Sequence, residues 1–192
     1  MGYFLTLLIV FVGLVRDIQA AENAAVPPTT YVDEGACPFE CCHYGKWKVH
    51  SATWLFAKPD KSSRKILQIP AGKKVIAVTG KVITTKPGAV DVVRPFVDEY
   101  SHIHYTPGDR IAVYTYLGEG FFKIWHNGTF HEAEIPFILH GHGGFVKCAE
   151  EQTCWGRGTL PESEWWIQLK TQSGSIGWTN QPENFGNKDA CE

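Results

Sequence analysis

Trp166-Ile167-Gln168-Leu169-Lys170-Thr171-Gln172-Ser173-Gly174-Ser175-Ile176-Gly177-Trp178 carries a tryptophan at each end and a Gly-Trp in its second half. A β-rich run leads into a turn-forming group around Ser173-Gly174, and a second run leaves it toward Gly177-Trp178. That is the pattern of a tight antiparallel hairpin. Alternation puts Ile167, Leu169 and Thr171 on one face, and Trp166, Gln168 and Lys170 on the other. The two aliphatics mark the core face. Trp166 is therefore expected to project to the opposite, groove side.

Outward from this hairpin the chain reads the same way. Helical periodicity is nearly absent, and short β-rich runs are broken by Gly, Pro, Asn and Asp, which predicts an all-β fold. The folded part is expected to start with a strand-like run over 47–56. Lys58-Pro59-Asp60-Lys61-Ser62-Ser63 reads as a polar loop and Lys65–Ile69 as a strand. Pro70-Ala71-Gly72 then makes a turn, with Pro fixing φ and Gly permitting a positive one. Val75-Ile76-Ala77-Val78-Thr79 is apolar on both faces, which predicts a central strand.

An internal repeat follows. Gly72-Lys73-Lys74-Val75-Ile76-Ala77-Val78-Thr79 aligns with Gly108-Asp109-Arg110-Ile111-Ala112-Val113-Tyr114-Thr115 at an offset of 36 residues. Pro70 and Pro107 sit just upstream of the two copies. The match implies a duplicated small barrel. The second copy continues through Gly120-Phe121-Phe122-Lys123-Ile124-Trp125, turns at His126-Asn127-Gly128 and returns at Thr129-Phe130-His131. Asn-Gly between apolar runs is a strong hairpin signal, because a type I′ turn needs two positive φ angles. Asn127-Gly128-Thr129 is also formally a glycosylation sequon, which the turn already explains. The first copy has no such hairpin until residues 166–178. Either the first unit is discontinuous and borrows this late hairpin, or the hairpin enlarges the second unit. The first topology is preferred.

Residues 3–15 are almost entirely apolar, too short for the ~20 residues of a membrane-spanning helix. A secretory signal cleaved after Ala20 or Ala21 fits, with an uncleaved anchor as the alternative. No Lys or Arg precedes the run. The expected organisation is a signal over 1–20 and a leader with a cysteine cluster over 21–46. One barrel is expected from 47–85 with 165–185, a second from 86–137, and an irregular region over 138–164. The formal charge is −2 and no basic stripe occurs, which excludes nucleic acid as a partner class.

The cysteines are Cys37, Cys41, Cys42, Cys148, Cys154 and Cys191. An even number in an exported chain predicts a disulfide framework, and six allow 15 pairings. Cys41 and Cys42 are neighbours, so different partners are expected. Cys148 and Cys154 can close a small loop, and Cys191 is expected to tie the tail to the Cys37–Cys42 cluster. A zinc site at Cys37, Cys41 and Cys42 is the weaker reading, because CxxC spacing is missing.

These residues resemble a known family. Trp54-Leu55-Phe56, the Ser62-Ser63 loop, Ile69-Pro70-Ala71-Gly72, the run from Val75 to Val78, and Trp166…Gly174…Gly177-Trp178 are similar to the bacterial SH3-like (SH3b) domain. Residues 108–128 resemble a second, degenerate copy, so the likeness covers most of 47–185. The resemblance implies two small SH3-like β-barrels, and the first of the two topologies above would insert one in the other. It also implies an exported chain, periplasmic or extracellular, that recognises cell-wall peptide or a protein segment. By the same resemblance Trp166 is a ligand-facing aromatic. Trp125 is a second candidate, and Tyr114 and Tyr116, alternate residues on one strand, extend the surface. Trp54 and Trp178 are expected to be structural.

The functional expectation is a non-catalytic binding module of the bacterial cell envelope. A structural or interaction subunit of an envelope assembly is one alternative. A histidine-based metal protein is the other, since His102 with His104 and His140 with His142 are alternate pairs, and His126 and His131 lie between them. No metal site or cofactor is assigned. The chain lacks a Gly-x-Ser-x-Gly elbow, a His-Glu-x-x-His motif and a phosphate-cradling loop, which argues against an enzyme. Carboxylates such as Asp98, Glu99, Glu162 and Glu164 are read as solvated.

Overall fold

The alternation of the sequence becomes a β-sheet structure in which the only helical element among the described residues is one 3-10 turn, Pro182–Asn184. A computed structural model describes residues 26–135 and 156–191. Residues 1–20, read above as a signal, together with His140, His142, Cys148, Cys154 and most of the region read as irregular, lie outside the described residues. In chain order the strands are β1 (Tyr31–Glu34), β2 (Gly45–Val49), β3 (Thr53–Phe56), β4 (Lys65–Ile69) and β5 (Lys74–Lys86). They continue as β6 (Gly88–Val92), β7 (Phe96–Val97), β8 (His104–Tyr105), β9 (Arg110–Gly118), β10 (Phe121–His126), β11 (Thr129–Glu134) and β12 (Gly156–Thr159). The last are β13 (Glu162–Thr171), β14 (Ile176–Thr179) and β15 (Phe185–Gly186).

Two sheets result, and the opening hairpin belongs to the first. Its strand order is β15-β2-β5-β13-β14-β3-β4, with β1 also paired to β5. The second sheet runs β11-β10-β9-β6-β12, and β7 with β8 makes a small ribbon. All ten residues of β13 pair with β5, and β14 pairs with β3. The late hairpin therefore completes the sheet begun by β2 to β5, and β6, β9, β10, β11 and β12 build a sheet of their own.

Each sheet has its own core. Trp47, Val49, Leu55, Val75, Ile167 and Leu169 pack in the first, and Val90, Ile111, Val113, Phe122, Ile124 and Ile135 in the second. Ile167 and Leu169 are fully buried, as the hairpin parity predicts. Each such side chain stabilises the fold by roughly 1.5–3 kcal/mol. Gly177 permits the approach of β14 to β3: a Cβ there would lie 2.9 Å from Leu55 Cβ and 3.0 Å from the Phe56 carbonyl oxygen. The Asn127-Gly128 turn has φ of 48° and 84°, the two positive values that the I′ reading requires.

Three expectations change. β5 is central, but Ile76 and Val78 on its outer face are 41% and 46% exposed, because no second layer covers them among the described residues. The leader contributes a strand, since Tyr31-Val32-Asp33-Glu34 pairs with residues 81–84 of β5. Asp98 is buried rather than solvated, accepting the amides of Tyr100 and Ser101 at 3.1 and 3.2 Å.

Candidate functional site

The seam between the two sheets is where the aromatic residues converge. β5 and β13 run past the first core, so Val82, paired with Trp165, and Thr84, paired with Ser163, turn toward the second sheet. Thr84 Oγ1 donates to the Tyr114 carbonyl at 3.3 Å and ties β5 to β9. A cleft of about 300 Å³ opens here. Tyr114, Tyr116, Phe122, Leu160, Pro161 and Trp165 form most of its wall. Among the described residues, no charged side chain lines it.

Tyr114 and Tyr116 both border the cleft, but they do not lie on one flat face. The register between β9 and β10 shifts so that Thr115 pairs with Lys123 and Val113 with Ile124, leaving Tyr114 as the extra residue. Its ring packs edge-on against Tyr31 and Phe130, with centroids 5.3 and 5.1 Å away. Its hydroxyl donates to the Pro28 carbonyl at 2.7 Å. Burial pushes that phenol up to about 12, so it remains a donor at neutral pH. Tyr116 instead packs on Phe122 with centroids 5.2 Å apart.

The two tryptophans assigned to the groove lie elsewhere. Trp166 is on the face opposite Ile167 and Leu169, as alternation predicts, but it is only 2% exposed. Phe56 meets its ring edge-on at 5.9 Å, and its indole nitrogen donates to Glu164 at 3.2 Å. Lys61, from the polar loop, pairs with the other oxygen of Glu164. Trp166 is thus a packing residue. Trp125 does not line the cleft; its ring meets Phe130 at 4.9 Å. Trp178 is buried beside Lys81, and Trp54 is 38% exposed beneath Lys65.

Sequence reasoning missed Trp165. It shares parity with Ile167 and lies just beyond the first core, so its ring bridges the core and the cleft. It contacts Trp47, Phe39 and Tyr44, with centroids 6.1, 5.8 and 6.5 Å away. Its indole N–H lies by the Tyr44 hydroxyl near Gly80, and its ring lines the cleft.

The leader closes one side of the seam. Pro38 lines the cleft, and Cys37 bonds Cys42 with Cα atoms 5.5 Å apart. Cys41 bonds Cys191 with Cα atoms 5.7 Å apart, so the neighbours do have different partners and the tail is tied to the cluster. The tail is also hydrogen-bonded there: Ala190 donates to the Cys41 carbonyl at 2.8 Å and His43 to that of Lys188 at 3.0 Å. A second cavity of about 410 Å³ lies beyond the Cys37–Cys42 bridge. Its Glu40 and Glu119 are exposed and its Glu132 is held by Lys123 at 2.8 Å, which makes a solvated acidic rim.

His102 and His104 are exposed, and His102 sits at a φ of 57° outside a strand, so they do not form a preorganised pair. His126 is buried at 4% exposure, with its Nε2 3.7 Å from Asp109 and its ring 4.9 Å from Tyr105.

These features define a disulfide-bonded, all-β protein with an uncharged aromatic cleft at the seam of two sheets. Comparison with protein-family models, with curated proteins and with solved structures finds no match. Among the described residues, no helix is long and apolar enough to cross a membrane.

Proposed function

We propose that this chain is an exported, non-catalytic binding module of the bacterial cell envelope, and that its cleft takes an extended protein segment. The observation that carries the reading is the convergence of Tyr114, Tyr116, Phe122 and Trp165 on one uncharged cleft. At about 300 Å³ it is at the small end of ligand pockets, suited to a few side chains rather than a whole cofactor. Aromatic rings with prolines beside them favour extended, proline-containing or apolar segments, which lose little entropy on docking. A cell-wall peptide is the poorer fit of the two ligand classes. Its carboxylates and amines would find no ionic partner along this wall. Export is supported by the apolar segment over 3–15 and by two disulfides, which persist in oxidising compartments.

Selection from a displayed peptide library tests this. Enrichment of uncharged, proline- or aromatic-containing segments, lost in Leu160→Asp and Tyr116→Ala, is the expected result. Capture on purified cell-wall sacculi with no peptide enrichment would favour the other ligand class. Binding of any peptide that survives both substitutions would remove the cleft from consideration.

A further inference from the structure

The outer face of the first sheet carries a pattern that the cleft does not use. Directly paired residues of an antiparallel sheet share a face. Lys46 of β2 pairs with Ile76 of β5, Ile76 with Lys170 of β13, and Lys170 with Ile176 of β14. Cation and aliphatic thus alternate in one row across four strands. Two residues along, Lys48 pairs with Lys74 on the same side. The opposite side of these strands is the core of Trp47, Val75 and Leu169. Ile76, Val78 and Ile176 are 41%, 46% and 50% exposed.

Lys61, Lys81, Lys86 and Lys123 each hold a carboxylate. Among the described residues, Lys46, Lys48, Lys74 and Lys170 hold none. Lys58, Lys65, Lys73 and Lys188 also hold no carboxylate among the described residues, and what distinguishes this face is that four such lysines share it. The chain as a whole is net negative at −2, so four unpaired cations on one face are a local feature and not a global excess.

We infer that this face docks on an anionic phospholipid surface. The lysines meet the headgroup charge, and Ile76, Val78 and Ile176 leave water for the headgroup–acyl boundary. A soluble polyanion would satisfy the lysines and leave the aliphatics exposed. Only a surface that is charged and apolar within a few ångströms uses both sets. The inference is independent of the cleft, which lies on the other side of β5 and β13.

The test reads each lysine separately, because the apolar segment over 3–15 can hold the full chain on any bilayer. Acetylation of the full chain is followed by peptide mapping, with vesicles of phosphatidylcholine alone or mixed with phosphatidylglycerol. The expected result is several-fold slower modification of Lys46, Lys48, Lys74 and Lys170 with the mixed vesicles only, while Lys123 is unchanged. The Ile76→Ser/Ile176→Ser variant, whose substitutions lie outside the core, should keep protection at low salt and lose it at high salt. Circular dichroism confirms its fold. Uniform protection of all lysines, equal protection by neutral vesicles, or unaltered salt resistance in the variant would each overturn the inference. Equal protection by soluble polyphosphate would reassign the face to a polyanion. Protection in lipid-free protein that rises with concentration would reassign it to a second copy of the chain.

Discussion

The amide of Gly108 donates to the carbonyl of Val92 over 2.9 Å, and the amide of Val92 returns a bond to Asp109, also over 2.9 Å. Gly72 and Lys73 make the same two bonds with Val49, both at 2.8 Å. The 36-residue repeat is therefore a repeated piece of geometry, in which a glycine turn clips the start of one strand to the end of another. Gly72 and Gly108 hold φ of 82° and 97°, where an L side chain is strained. A methyl at either would meet nothing within 4 Å, so the cost of alanine is conformational. Each of Gly72→Ala and Gly108→Ala should destabilise the fold by about 1–2 kcal/mol in urea denaturation. Similar values at the two sites would follow from the shared turn, and a neutral result at either would show that the turn relaxes.

The Cys41–Cys191 bond closes a span of 150 residues, and Cys37–Cys42 a span of 5. Chain-entropy reasoning assigns about 5 kcal/mol to the long closure and about 2 to the short one. Cys41→Ala/Cys191→Ala should therefore lower the denaturation midpoint more than Cys37→Ala/Cys42→Ala. The double substitutions avoid leaving a free thiol that can exchange. Equal losses would show that the tail's hydrogen bonds to the cluster, rather than the covalent closure, hold that end.

What could be read from the chain alone follows the range of each interaction. Alternation is local, and it placed Ile167 and Leu169 inward and Trp166 outward. The Asn127-Gly128 turn and the separate partners of Cys41 and Cys42 also rest on local chemistry. What covers an outward ring is not local. Trp166 is covered by the ring of Phe56, more than a hundred residues earlier, which meets it edge-on. Trp165 reaches the cleft only because β13 runs past the first core in register with Val82. The separation of Tyr114 from Tyr116 depends on a register shift between β9 and β10 that no periodicity announces.

Trp166 packs, so its removal should be read in stability. Truncating a buried tryptophan costs about 3–5 kcal/mol, a large part of the stability of a small domain. Trp166→Ala should shift the urea midpoint strongly. Trp166→Phe keeps a ring against Phe56 and should recover much of the loss. In the folded protein neither should change selection of peptides by the cleft. Altered peptide selection in folded Trp166→Phe would return this residue to the binding surface.

Tyr114 anchors the leader through Pro28 while its ring packs on Tyr31 and Phe130. Tyr114→Phe removes the hydroxyl and keeps the ring. A net cost of about 1 kcal/mol is expected. The amides of Thr29 and Thr30, next to the lost anchor, should exchange hydrogen faster. Unchanged exchange would mean that ring contacts alone hold the leader to the second sheet.

His126 makes the fold sensitive to acid. Burial holds its pKa below the usual histidine value; Asp109 opposes that shift and His131 adds to it. The depressed pKa means that the unfolded chain binds the proton more readily than the folded one. Stability from this site is then full above the unfolded value of about 6.5 and is lost as pH falls toward the folded value. The flanking charges that bear on it are Asp109 and His131, and its ring abuts Tyr105. Urea denaturation at pH 7.5 and pH 5 should show wild type losing stability across the interval. His126→Gln should lose less over the same interval, whatever its absolute stability. Equal slopes in the two proteins would assign the acid sensitivity to other groups.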